Sequence, residues 1–220
     1  MFGTSGGGGD PAAVPSVQSM TILLSDPRVS AVRVRDNGEP LVRFGSALVR
    51  AGLANRLDAA RAGLPPGIRL RVVEGHRSVE AQRAIIASYS AELRSARPGI
   101  DDAELHRLAS RYVAPVEVAP HVAGAAVDVT LVDVCGGELD LGTAVDATPE
   151  QSDGRCYFAA AGIGADARAH RDLLAQVLTG QGFVNYPTEW WHWSFGDRYW
   201  ALTTGADHAL YGPVAAAVAA

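Results

Sequence analysis

From Ile68 to Glu74, isoleucine, leucine and valine alternate with arginine, and this period of two predicts a strand with one drier and one wetter face. Upstream, Val49, Leu53, Leu57 and Leu64 recur at helical spacing behind Ser46, which can cap that helix, and Leu64-Pro65-Pro66-Gly67 stops it. Val29 to Arg35 and Leu41 to Phe44 flank Asp36-Asn37-Gly38-Glu39. Asn-Gly between two apolar runs predicts a type I′ hairpin there.

Downstream, Ser78 with Glu80 in the first turn opens a helix to about Ser95, closed by Arg97-Pro98-Gly99. Asp101-x-x-Glu104 has the form of a capping box for a third helix ending near Tyr112. Ala125 to Val132 reads as a strand, followed by a Gly136-Gly137 turn and the short run Leu139 to Leu141. Gly142 to Gly164 lacks periodicity, as a long functional loop would. Asp166 to Leu178 predicts a helix ended by Gly180, and Phe183 to Tyr186 with Trp190 to Phe195 predicts a last strand pair. Strands and helices do not alternate as regular βαβ units, so an α+β class follows, with a small, mostly antiparallel sheet flanked by helices.

Composition narrows the picture. The 220 residues are 48% hydrophobic, enough for one sizeable core, and a single domain over residues 21–220 is expected. The Gly-, Ser- and Pro-rich stretch at residues 1–20 has no basic n-region or long apolar run, and is expected to be a disordered tail. A net charge of -5 excludes a strongly basic nucleic-acid binder. No run approaches a membrane span, so no membrane partner and a cytoplasmic location are expected. Cys135 and Cys156 are the only cysteines; they exclude a disulfide-dense scaffold and a Cys-rich metal site, though they can pair with each other.

Candidate chemistry centres on Glu189-Trp190-Trp191-His192-Trp193, where a carboxylate precedes an imidazole by three residues among indoles. Charges in such apolar surroundings are tightly paired or bound to something. Zinc hydrolases take three ligands from His and Asp or Glu and leave a fourth position for water; His121, Asp128 and His192 supply such a set. Asp128 lies inside an apolar strand, where its charge needs compensation by a cation, an arginine or a cap. Glu189 is the candidate base, and Arg77, just after the Ile68 to Glu74 strand, the candidate oxyanion partner. Blander readings stay open for each: His192 bonding a carbonyl inside a core strand, Arg77 on a surface turn.

Three blocks in order then become specific: Glu-Gly-His-Arg at 74–77, His-x6-Asp at 121–128 running into Val-Asp-Val-Thr-Leu, and Gly-Phe-x5-Glu-Trp-Trp-His at 182–192. Together, over about residues 46–197, they resemble the VanX-type D-alanyl-D-alanine dipeptidases, part of a zinc peptidase superfamily with a hedgehog-like fold that also holds D,D-carboxypeptidases. The resemblance implies one zinc per chain on His121, Asp128 and His192, Glu189 as base, Arg77 stabilising the oxyanion, and Asp146 receiving the substrate ammonium. It implies cleavage of D-Ala-D-Ala or a similar small dipeptide. Ala119 stands where the family carries a serine that helps bind the amine, which also admits a D,D-carboxypeptidase acting on longer peptidoglycan stems. A non-catalytic metal-binding domain is the third alternative.

Overall fold

The computed structural model describes residues 21–214; the tail expected at residues 1–20 lies outside them. In chain order the described elements are α1 (Pro27–Ala31), β1 (Leu41–Phe44), β2 (Ala47–Arg50), α2 (Ala51–Ala62), β3 (Ile68–Glu74), α3 (Val79–Ala96) and α4 (Asp102–Ala109). A 3₁₀ turn (Val116–Val118), β4 (Ala126–Asp133), α5 (Ala165–Thr179), β5 (Val184–Asn185), β6 (His192–Ser194) and α6 (Arg198–Thr204) complete them. β1 and β2 form one two-stranded sheet, and a second sheet runs β3-β4-β6-β5. Every pair of these strands is antiparallel. The α+β class holds, with the strands divided between two small sheets.

β4 is the spine: Ala126 to Val132 are all buried, with β3 along one edge and β6 along the start of the other. Val127, Val129 and Leu131 join a core with Leu53 and Leu57 of α2, Leu174 and Leu178 of α5, and Trp190, Trp191 and Trp193. Truncating one such indole to alanine would cost roughly 3–5 kcal/mol. A separate apolar cluster, Tyr89 and Leu93 of α3 with Leu105 and Leu108 of α4, stands to one side. Two of the caps read from sequence, Ser78 and Asp101, are in place. Ser78 accepts from the Ala81 N–H, and Asp101 from the Glu104 N–H.

Three local expectations are corrected. The hairpin is not at Asn37-Gly38. Asp26 caps Pro27–Ala31 into a helix, and Val34 bridges to Ala209 rather than to β1. Asn37 lacks the positive φ a type I′ turn demands; instead the Asp36 and Asn37 side chains accept from the Gly38 and Glu39 N–H groups at 2.9 and 3.1 Å. The hairpin is β1–β2, turned at Gly45-Ser46 with Gly45 at φ 60 in the first loop position, as a type II′ turn requires. Consequently the following helix starts at Ala51 rather than at Ser46, and Val49 is buried from a strand. α6 was not expected; Asp197 caps it, accepting from the Trp200 N–H at 2.6 Å. Cys135 is exposed, Cys156 is buried, and both are free thiols. No described helix is long and apolar enough to cross a membrane.

Candidate metal centre and active site

Strand register assembles the site. Asp128 is the cross-strand partner of Glu74 on β3 and of His192 on β6, so three polar side chains of distant sequence form one row across the sheet. His121 arrives from the turn before β4. Its Nδ1 lies 2.7 Å from the Gly75 carbonyl, and since a carbonyl only accepts, Nδ1 carries the proton and the Nε2 lone pair faces the row. Nε2 of His121 is 3.0 Å from Nδ1 of His192 and 3.3 Å from Oδ2 of Asp128; Oδ1 of Asp128 is 3.2 Å from Nδ1 of His192. All three residues are buried.

These separations suit a metal. Ligands about 2.0–2.2 Å from a common tetrahedral centre stand about 3.3 Å apart, and an N₂O donor set is one zinc accepts. Candidate ligand atoms of these three residues lie within 4.8 Å of one another. The electrostatics agree. Burial pushes the Asp128 carboxyl up, but the two histidines outweigh it and hold the group far below the usual carboxylate range. Burial lowers both imidazoles; Asp128 overcomes that at His121, whereas at His192 burial and the neighbouring His121 prevail.

Glu189 sits in the turn between β5 and β6, with Oε2 3.8 Å from Nδ1 of His192. The Asn185 amide holds the turn, donating to the Glu189 and His192 carbonyls at 2.9 Å each. Burial first, then the charges of Asp128 and Asp146, push the Glu189 carboxyl well above its ordinary value. Arg77 is not a surface residue: its side chain is 13% exposed, and Nε and Nη2 grip the two oxygens of Glu74 while Nη1 donates to Gln82 Oε1 at 2.9 Å. Gln82 is itself fixed by donating to the Ala114 carbonyl at 2.8 Å.

A cavity of about 140 Å³ opens onto this cluster, and Arg77, Glu189 and Asp146 all line it with His121, Asp128 and His192. The six residues singled out from sequence therefore converge. Asp146 reaches the cavity from the long loop with φ 63, a left-handed conformation that aspartate tolerates better than most residues. Burial, then the nearby Asp128 and Glu74 carboxylates, raise its pKa to about 6. Ala119 lines the cavity too and brings no polar side-chain atom. Sequence reasoning missed Gln82 and Tyr112, which share the lining. Gln82 carried a faint signal, falling five positions after Arg77 on the helix that follows it.

The signature of the D-Ala-D-Ala dipeptidase family matches residues 59–208. The chain belongs to this family. It is a zinc metallopeptidase, and the buried cluster of His121, Asp128 and His192 is a group that could hold a metal ion. Along nearly its whole length it is similar to the D-alanyl-D-alanine dipeptidase of Synechocystis sp., at 27% identity over 94% of this chain and 92% of that one. The Escherichia coli D-alanyl-D-alanine dipeptidase is 39% identical over 37% of this chain and 41% of its own, and the Enterococcus faecium one 33% identical over 46% of each. Among solved structures, VanYB in complex with D-Alanine-D-Alanine aligns with 76% of this chain and 84% of its own at 20% identity and a TM-score of 0.46.

Proposed function

We propose that this family member hydrolyses D-Ala-D-Ala or a similar small D,D-dipeptide, with residues 21–220 forming one metallopeptidase domain. The observation that carries the dipeptide reading is Asp146, a carboxylate lining the same small cavity as Glu189 and Arg77. A free ammonium one residue from the scissile bond needs such an acceptor; an amide at that position in a longer chain does not.

In this reading His121, Asp128 and His192 hold zinc, which supplies Lewis-acid polarisation of the carbonyl and a water acidified toward pKa of roughly 7. Glu189 takes the proton of the attacking water on its carboxylate and delivers it to the departing amine nitrogen. Its place beside the ligand cluster, with Oε2 3.8 Å from Nδ1 of His192, suits a group that must hold that proton between the two events. Arg77, immobilised by Glu74 and Gln82, donates to the carbonyl oxygen as negative charge grows there. Asp146 anchors the substrate ammonium and so sets the register of the scissile bond.

A second reading, a D,D-carboxypeptidase acting on longer peptidoglycan stems, is favoured by Ala119, which leaves the amine side of the cavity with one fewer acceptor. Turnover of D-Ala-D-Ala, its N-acetyl form and a stem pentapeptide by the zinc-loaded enzyme separates the two. The dipeptidase reading expects kcat/KM highest for the free dipeptide, and a preference for the pentapeptide would replace it with the second.

A further inference from the structure

Arg171 on α5 is 0% exposed and forms no ion pair among the described residues, the Asp140 charge acting on it only from a distance. Its guanidinium donates only to backbone carbonyls: Nε to Leu141 at 2.7 Å, Nη1 to Tyr157 at 2.6 Å and Phe158 at 3.3 Å, and Nη2 to Arg155 at 2.8 Å. A buried cation without a directly paired carboxylate is an expensive way to fill a core position where leucine or methionine would pack at less cost. What it does provide is geometry. Leu141 and Arg155–Phe158 bracket the stretch that carries Asp146, so a single planar fork closes both ends of that loop.

The guanidinium also lies over the Trp190 ring, 5.5 Å from its centroid, next in sequence to Glu189. Trp190 in turn ties back to the loop: its indole N–H donates to Thr143 Oγ1 at 2.8 Å and its backbone N–H to the Cys156 carbonyl at 3.0 Å. We propose that Arg171 is a positioning residue for recognition of the substrate amine, fixing the loop that presents Asp146 relative to the turn that presents Glu189. The inference rests on the reading of Asp146 as the ammonium acceptor. Arg168, one turn earlier on α5, is the internal contrast, because it grips only the far end of the loop, at the Phe158 and Ala160 carbonyls.

The test compares kcat and KM for free and N-acetyl D-Ala-D-Ala in the zinc-loaded wild type, Arg171→Met, Thr143→Val, Arg168→Met and Asp146→Asn, with zinc content measured in each. Arg171→Met and Thr143→Val should raise KM for the free dipeptide by about tenfold, the scale of one misplaced polar contact. Each should keep full zinc and leave kcat/KM for the blocked dipeptide within about twofold, whereas a merely structural loss would lower both substrates together. Arg168→Met should leave the ratio between the substrates unchanged. Adding Arg171→Met to Asp146→Asn should give no further drop in that ratio, as expected of a residue that acts only through that contact. Should Arg171→Met not fold, Thr143→Val decides alone. An unchanged ratio in the folded variants, alongside a collapsed ratio in Asp146→Asn, overturns the role of Arg171; an unchanged ratio in Asp146→Asn overturns the reading of Asp146 itself.

Discussion

Asp128 and His192 are direct cross-strand partners: antiparallel pairing of β4 and β6 sets Oδ1 of one 3.2 Å from Nδ1 of the other across 64 positions of sequence. With His121 they form the only cluster of three potential ligands among the described residues. His121→Ala, Asp128→Ala and His192→Ala should each lose the one zinc that the wild type holds per chain. Metal analysis of the purified variants checks this, and full occupancy in all three would sink the assignment.

Glu189 and Arg77 line the cavity outside that ligand set, so they should govern rate rather than metal content. Glu189→Ala should keep zinc and lose at least about a hundredfold in kcat, the scale of removing a general base. Arg77→Ala should lose a comparable factor, as when one oxyanion donor is removed. Near-normal turnover by either variant would show that another group performs its step.

Gly75 couples the fold to the site. A Cβ there would stand 2.4 Å from the Leu48 carbonyl oxygen, and the Gly75 carbonyl is the acceptor that orients His121. Gly75→Ala must push β2 and β3 apart, at about 1–3 kcal/mol, and should turn His121 with it. We expect a lower melting temperature together with faster loss of zinc to a chelator. A variant as stable as wild type that holds zinc equally well would mean that the β2 edge yields without cost.

The raised pKa of Asp146 gives substrate binding a pH dependence of definite sign. An ammonium acceptor must be ionised, so KM for the free dipeptide should be steady above about pH 6 and climb as pH falls through that value. The N-acetyl dipeptide should lack this limb, and Asp146→Asn should abolish it. The same shift acts on stability: between the ordinary 3.8 and about 6 the folded chain keeps a proton that the unfolded chain has released. Stability from this group is therefore present below that window and lost as pH rises through it. Denaturant melts of Asp146→Asn across pH 4–7 should show a shallower decline than wild type; identical slopes would contradict the shift.

What the chain's own order of residues determined was whatever depends on near neighbours. The alternation from Ile68 to Glu74, the caps at Ser78 and Asp101 and the stop at Gly180 are local signals, and β3, α3, α4 and α5 formed within a few residues of where they were expected. The candidate ligands were legible for the same reason, as charged or imidazole groups inside apolar runs where only a partner could hold them. Asn37-Gly38 shows the limit. Its turn preference is real, but the strand it would have paired is drawn instead to Ala209, far along the chain. Only tertiary structure could decide that β4 would bring Glu74, Asp128 and His192 into one row, that Gln82 would brace Arg77, or that Arg171 would be buried. An arginine on an amphipathic helix reads as solvent-facing, and it becomes a clamp only when a loop folds four carbonyl oxygens over it, because hydrogen-bonding partners are chosen by proximity in space rather than in sequence.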